Sequence, residues 1–332
     1  MNGAARETVR VVARSRPTEG ACDSIALGQE GKTITVRQVT PTVSGQSKTE
    51  NISFTCDTVL AGASQERMFD EVGRPLCEAV LQGYNGTALC YGQTGAGKSF
   101  TMVGSGATDY HQRGLLPRSI ARIFREVGNR PECEFTTRFS CLEIYNEAMY
   151  DLLASLPGTR PGPRAELTIS EARGNVTVKG LSTIEVGSEE EALRLLFEAE
   201  SNRAVAQHAL NLHSSRSHVI YTLQVERRSR VDSTGAVVCS ALTMVDLAGS
   251  ERLKKSNHGA EAVKEGSAAA RQQAKLAREA MCINKSLSFL EQVVTALGSR
   301  SRAHVPHRSC RLTSVLREAL GALLIARAAA EA

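Results

Sequence analysis

The 332-residue chain contains no tryptophan, and aromatic residues make up 4% of it. With so few side chains for bases to stack on, and no recognisable nucleic-acid module, nucleic acid is a poor candidate partner. Nowhere do eighteen apolar residues run together, and the polar, basic start from Met1 to Arg16 has no apolar signal core, so neither a spanning helix nor a secretory leader is expected. The nine cysteines are odd in number, with no C-x-x-C pair and no histidine at zinc-finger spacing, which argues against a disulfide framework and a zinc site. Together these absences predict a soluble intracellular protein in a reducing compartment. Internal repeats and low-complexity linkers are also lacking, which favours one large α/β domain over two. A hydrophobic share of 42% against 23% charged residues is ordinary globular composition, and the net charge of +5 leans toward an acidic partner.

What is present is organised around residues 92–99, Gly-Gln-Thr-Gly-Ala-Gly-Lys-Ser, which fit the phosphate-cradling pattern G-x-x-x-x-G-K-[ST] without a gap. The apolar run Thr87 to Tyr91 before it reads as a buried strand bounded by the Asn85-Gly86 turn signal, so strand, loop and helix start come in the required order. Gly92, Gly95 and Gly97 let the backbone turn its N–H groups toward phosphate oxygens. Gln93, Thr94 and Ala96 complete the loop. Lys98 would reach the β- and γ-phosphates, and the Ser99 hydroxyl would sit on Mg²⁺.

Around this loop, Val9 to Ala13 reads as a first strand, stopped by Arg14-Ser15-Arg16-Pro17. Residues 31–56 alternate like small hairpins. Ser64 is a plausible cap for a helix running to Gln82, Leu115 to Val127 is an amphipathic helix with Pro117 in its first turn, and Ser188 to Glu191 is a capping box. Phe135 to Tyr145 alternates as a strand. Two later stretches suggest a switch. In Asn211 to His218, Ser214 and Ser215 can offer hydroxyls to Mg²⁺ and a terminal phosphate, although such loops are often only loops. Ala241 to Asp246 is an apolar strand ending in a carboxylate, followed by Gly249 and Glu251, an arrangement suited to Mg²⁺ and a γ-phosphate.

In order along the chain, GQTGAGKSFTM at 92–102, NLHSSRSH at 211–218, DLAGSERL at 246–253, INKSLSFLEQVVTAL at 283–297 and HVPHRSCRLT at 304–313 resemble the kinesin motor domain. The resemblance covers about residues 8–321. LEIYNE at 142–147 and SLSFLEQ at 286–292 look most similar to the ninth kinesin subfamily, which is associated with cilia and flagella. It implies a phosphate-loop α/β fold with a central mixed, mainly parallel-containing twisted sheet flanked by helices on both faces, comprising residues 1–321 as one domain. Activity would be ATP hydrolysis with Mg²⁺ on microtubules of the cytoplasmic cytoskeleton. By resemblance, Arg14, Arg16 and Pro17 would flank the adenine, and residues 92–99 with Phe100 would hold the nucleotide. Ser99 and Ser215 would bind Mg²⁺, with Asp246 acting through water. Ser214 and the Gly249 amide would sense the γ-phosphate, and Arg216 and Glu251 would pair to close the switches around the attacking water.

No acidic side chain occurs from residue 292 to residue 317, while Arg300, Arg302, Arg308, Arg311 and Arg317 accumulate. The resemblance places this region and the helix at 276–297 on tubulin. That helix carries Leu276, Ala280, Ile283, Leu287, Leu290, Val294 and Leu297 on one stripe, expected to be core. Two departures stand out. Ser267 to Arg278 is an Ala-rich surplus, expected to be helical. After Gly321 the family's last central strand, last helix and neck linker are absent, replaced by an atypical tail at 322–332, so a non-motile microtubule-binding module is the competing expectation. A GTPase-like switch is disfavoured, because Asn284-Lys285-Ser286-Leu287 lacks the aspartate of the guanine-reading motif that such proteins carry.

Overall fold

The computed structural model describes residues 9–16, 24–28, 30–41, 47–105, 109–154, 165–172, 175–209, 216–231, 236–251, 268–298 and 304–321. The strands are β1 Val12–Ser15, β2 Ile25–Leu27, β3 Thr33–Pro41, β4 Ser47–Thr55, β5 Thr58–Ala61, β6 Gly86–Cys90, β7 Cys133–Tyr145, β8 Ala148–Asp151, β9 Thr168–Ala172, β10 Asn175–Lys179, β11 Ile184–Glu185, β12 His218–Ser229 and β13 Val237–Asp246. The helices are α1 Gln65–Met68, α2 Arg74–Gln82, α3 Lys98–Met102, α4 Leu115–Gly128, α5 Glu189–Ala209, α6 Ala268–Gly298, α7 Arg311–Val315 and α8 Arg317–Gly321. A π turn, Phe69–Gly73, joins α1 to α2.

The central sheet runs β11-β7-β12-β13-β6, with β8 paired to β7. It is mixed, as expected: β6 pairs parallel with β13, whereas among the described residues β7 pairs antiparallel with β8, β11 and β12, and β12 with β13. Its longest strands, β7, β12 and β13, lie side by side as antiparallel neighbours. Period-two alternation sends their side chains to two layers. Phe139, Cys141, Tyr221, Leu223, Leu242 and Met244 face a core shared with α2, α4 and α5. Leu142, Ile144, Ile220 and Val245 face a second core with Leu287, Leu290 and Val293 of α6 and Leu312 and Leu316. Each such buried aliphatic side chain contributes about 1.5–3 kcal/mol, so among the described side chains α6 is fixed to the sheet mainly through its C-terminal half.

The caps expected from the sequence are formed. Ser64 Oγ accepts from Arg67 N at 3.1 Å, and Ser188 Oγ accepts from Glu191 N at 3.2 Å while Glu191 Oε2 reaches back to Gly187 N at 2.7 Å. The described part of the Ala-rich surplus, 268–278, is helical and continuous with α6, as expected.

Among the described residues β1 pairs with β5 and no strand joins β1 to β6. Between them lies a cavity of about 560 Å³ lined by Val9, Val11, Leu89, Tyr91, Leu287 and Leu290, among others. The tail at 322–332, on which the expectation of a replaced last strand turns, lies outside the described residues.

Candidate nucleotide site

The loop at 92–97 joins β6, buried along its whole length, to α3. Gly95 and Gly97 have φ of 81° and 92°, conformations that a side chain would strain, which is why glycines recur here. Lys98, 8% exposed, folds back so that Nζ donates to Gly92 O and Gln93 O, both at 2.9 Å. Burial lowers its pKa, and the nearby Asp246 and Glu251 oppose that shift. A cation held this way is set to exchange two carbonyls for phosphate oxygens.

Ser99 Oγ donates to Asp246 Oδ2 at 2.6 Å, joining the first turn of α3 to the end of β13. Asp246 is 1% exposed, and its other oxygen, Oδ1, has no hydrogen-bond partner among the described residues. A buried carboxylate oxygen without a donor is costly unless something else satisfies it. The same carboxylate takes a longer contact, 3.4 Å, from Arg203 Nη1 on α5. Burial alone would lower the Arg203 pKa, but Tyr221, Asp246 and Glu200 around it raise it, so this arginine stays charged. Sequence reading passed over Arg203; the only signal was Glu200 three residues before it within an otherwise apolar helix face.

Beyond Asp246 the chain crosses back to the loop. Leu247 N donates to Cys90 O at 3.3 Å and Ser250 N to Gly92 O at 3.1 Å. Thr94 then donates to Glu251 through N, at 2.8 Å, and through Oγ1. Burial would raise the Glu251 pKa, but the Thr94 donors and Lys98 hold it below the usual carboxylate range. A Cβ built on Gly249 would overlap the Glu251 carboxylate and Thr94 Oγ1, so a side chain here would have to displace that pair.

The Arg216–Glu251 pair, expected when the switches close, is not formed in this structure: among the described residues no ion pair joins them. Arg216 Nη1 instead lies 2.5 Å from Glu279 Oε2 of α6, and Tyr145 OH donates to Glu279 Oε1 at 2.6 Å. The reason is burial: Glu279 is 1% exposed, and a carboxylate that deep needs a cation more than Glu251, which the Thr94 donors already hold. Sequence reading missed Glu279, which stands just past the Ala-rich surplus.

Next to Arg216, His218 ties three elements together. Ala248 N donates to Nδ1 at 3.0 Å, so the remaining ring proton is on Nε2, which lies 2.8 Å from Ser286 Oγ; Ser286 Oγ in turn donates to Ile283 O at 2.8 Å. Burial, then Arg203 and Lys98, push the His218 pKa down to about 3.

Of the remaining expected residues, Arg14 is turned inward. Its guanidinium donates to Gln65 Oε1, Thr101 Oγ1 and Ala63 O and lies over Phe100, 5.4 Å from the ring centre. Arg16 is exposed and donates to Gly95 O at 2.6 Å, bringing it to the loop's outer edge. Pro17, Ser214 and Ser215 lie outside the described residues.

A glycine-built loop, a lysine folded over it and a strand-end aspartate joined to the loop's serine define a phosphate-loop nucleotide fold. The pattern of the kinesin motor domain matches residues 12–325, and the chain belongs to that family. It is 41% identical over 319 residues to the kinesin-like protein KIF9 of Mus musculus and 42% identical over 318 residues to the kinesin-like protein KLP1 of Chlamydomonas reinhardtii. Each alignment covers 95% of this chain but 38% of the relative, so the chain spans well under half of their length. A solved structure of a fast kinesin superposes with a TM-score of 0.79 at 34% identity, covering 98% of this chain and 86% of that one. The motor and motor homology domain of Kar3Vik1 superposes with a TM-score of 0.76 at 28% identity, over 97% of this chain and 79% of that one.

Proposed function

We propose that this chain is an ATP-hydrolysing motor domain that works on microtubules. The observation that carries the reading is the Ser99–Asp246 contact beside the folded-back Lys98, with Asp246 Oδ1 left without a partner among the described residues. That orphaned oxygen and the adjacent hydroxyl fit Mg²⁺: Ser99 and Ser215 would hold it directly and Asp246 through water. When bound, the ion neutralises charge on the β- and γ-phosphates. Residues 92–99 orient the triphosphate, Arg14, Arg16 and Pro17 border the base, and Ser214 and the Gly249 amide sense the γ-phosphate. Glu251, kept ionised by Thr94, accepts the proton of the attacking water through a water chain once Arg216 has moved to pair with it.

The acidic polymer would meet the basic stretch from Arg300 to Arg317 and the outer face of α6. Part of that charge is already engaged, since Arg308 and Arg317 reach Glu171 of β9 at 2.6 and 2.8 Å. Residues 1–321 form the working unit, in the cytoplasmic cytoskeleton. Action on ciliary or flagellar microtubules is the finer proposal, and it rests on the likeness to the ninth kinesin subfamily. The test is ATP turnover with and without polymerised tubulin, with GTP as competitor. ATP-selective hydrolysis accelerated by microtubules is expected; hydrolysis indifferent to them removes the partner, and absence of hydrolysis removes the activity.

A further inference from the structure

The contact between Arg216 and Glu279 sets a choice for one cation between two carboxylates. Glu279 is buried, and its charge is satisfied by Arg216 on one oxygen and Tyr145 on the other. Glu251 stands across the site on the loop side, held by Thr94. If Arg216 leaves for Glu251, Glu279 remains a buried carboxylate with, among the described residues, the Tyr145 phenol as donor, and such a group is costly. Closure of the switches therefore carries a penalty located on α6, well away from the phosphates.

We propose that Glu279 is a positioning residue that withholds Arg216 from Glu251, so that hydrolysis waits until α6 shifts and the buried carboxylate is relieved. The proposal rests on the reading of the chain as a microtubule-dependent ATPase and adds the device that couples its two sites. The geometry favours it in a second way. Ser286, two turns further along α6, holds His218, which accepts the Ala248 amide just before Gly249. A shift of α6 would thus act on Arg216 and on the Gly249 segment together. Tyr145 sits at the base of the two-residue turn Asn146-Glu147, whose φ values are 53° and 62°, and Glu147 caps Arg311 N of α7 at 3.0 Å. The acceptor of Arg216 is therefore braced from the same side of the molecule that carries the basic stretch.

The experiment compares the wild-type chain with Glu279→Gln, Arg216→Ala and the double variant, measuring ATP turnover without and with microtubules, the KM for ATP and thermal unfolding. Glu279→Gln keeps an acceptor for Tyr145 but removes the charge that retains Arg216. Basal kcat is expected to rise about five-fold, the difference between a charge-assisted and a neutral hydrogen bond. KM for ATP should stay as it is, and the ratio of stimulated to basal turnover should fall. The gain should vanish in the Arg216→Ala background. Unchanged or lower basal kcat in a folded Glu279→Gln variant overturns the proposal, as does a gain that persists without Arg216. A wild-type chain that binds but does not hydrolyse ATP would remove the functional reading alone. The pairing would then be judged by melting temperatures, where non-additive losses support it and additive ones overturn it.

Discussion

The two halves of the nucleotide site are built by different means. The phosphate loop is made from consecutive residues whose backbone does the work, and its cation, Lys98, is held by carbonyls five and six residues before it. The switch half is made from side chains that come together across the fold: Arg216 meets Glu279 at a separation of 63 residues and Thr94 meets Glu251 at 157. A site half fixed by local backbone has one arrangement, whereas a half fixed by exchangeable ion pairs can have two. The contrast assigns binding to the first and timing to the second.

The largest effect should come from the loop. Lys98→Ala is expected to lower ATP affinity about 100-fold or more, the scale of losing charge-assisted bonds to phosphate, while melting as a folded protein. Nucleotide titration of the folded variant measures it, and unchanged affinity would break the comparison at its root. In the switch half, Arg216→Ala and Glu251→Ala should each leave nucleotide affinity near wild type and cut turnover by about 100-fold. Their combination should be little worse than either, because the pair acts as a unit. Losses that multiply would mean that the two residues never meet.

A smaller effect is expected in stability against pH. The unfolded chain takes up a proton on His218 below about 6.5, whereas the folded chain refuses it down to about 3. The unfolded state therefore binds more protons in that interval, and stability is lost as pH falls from about 6.5 toward 3. By pH 5 this amounts to about 2 kcal/mol. Denaturation curves of wild type and His218→Gln at pH 7 and pH 5 should differ in their pH dependence by that amount, with the wild type the more acid-sensitive. Smallest is the change at the partner surface. Glu171→Gln should free Arg308 and Arg317 and tighten microtubule binding a few-fold at low salt, the gain fading at high salt; co-sedimentation across a salt series reads it, and salt-independent binding would place the contact elsewhere.

The same division explains what could be read from the chain alone. The loop was legible because glycine, lysine and serine at fixed spacing state a backbone requirement. Ser64 and Ser188 were legible as caps because a cap is decided within four residues. The stripe on α6 gave Leu287 and Leu290, yet passed over Val293, which is fully buried, because the sequence alone does not show which flank of a stripe packs on the sheet. The hairpin of β9 and β10 went unnoticed although Val176 and Val178 alternate with polar residues, because each strand is only five residues long. Glu279 could not be found, since nothing in an Ala-rich stretch tells which carboxylate will be buried opposite an arginine 63 residues away.

Mechanically, α6 is a beam on a fulcrum. Its 31 residues, Ala268–Gly298, make a rod about 46 Å long, bonded to the switch side chains through Glu279 and Ser286. From Glu279 the rod reaches about 28 Å to Gly298 and about 16 Å back to Ala268. A rocking of about 5° would swing the far end by about 2.4 Å and the near end by about 1.4 Å in the opposite sense. The Ala-rich segment thus lengthens the short arm of the beam. A displacement at the Gly298 end would be carried, reduced and reversed, to the Ala268 end.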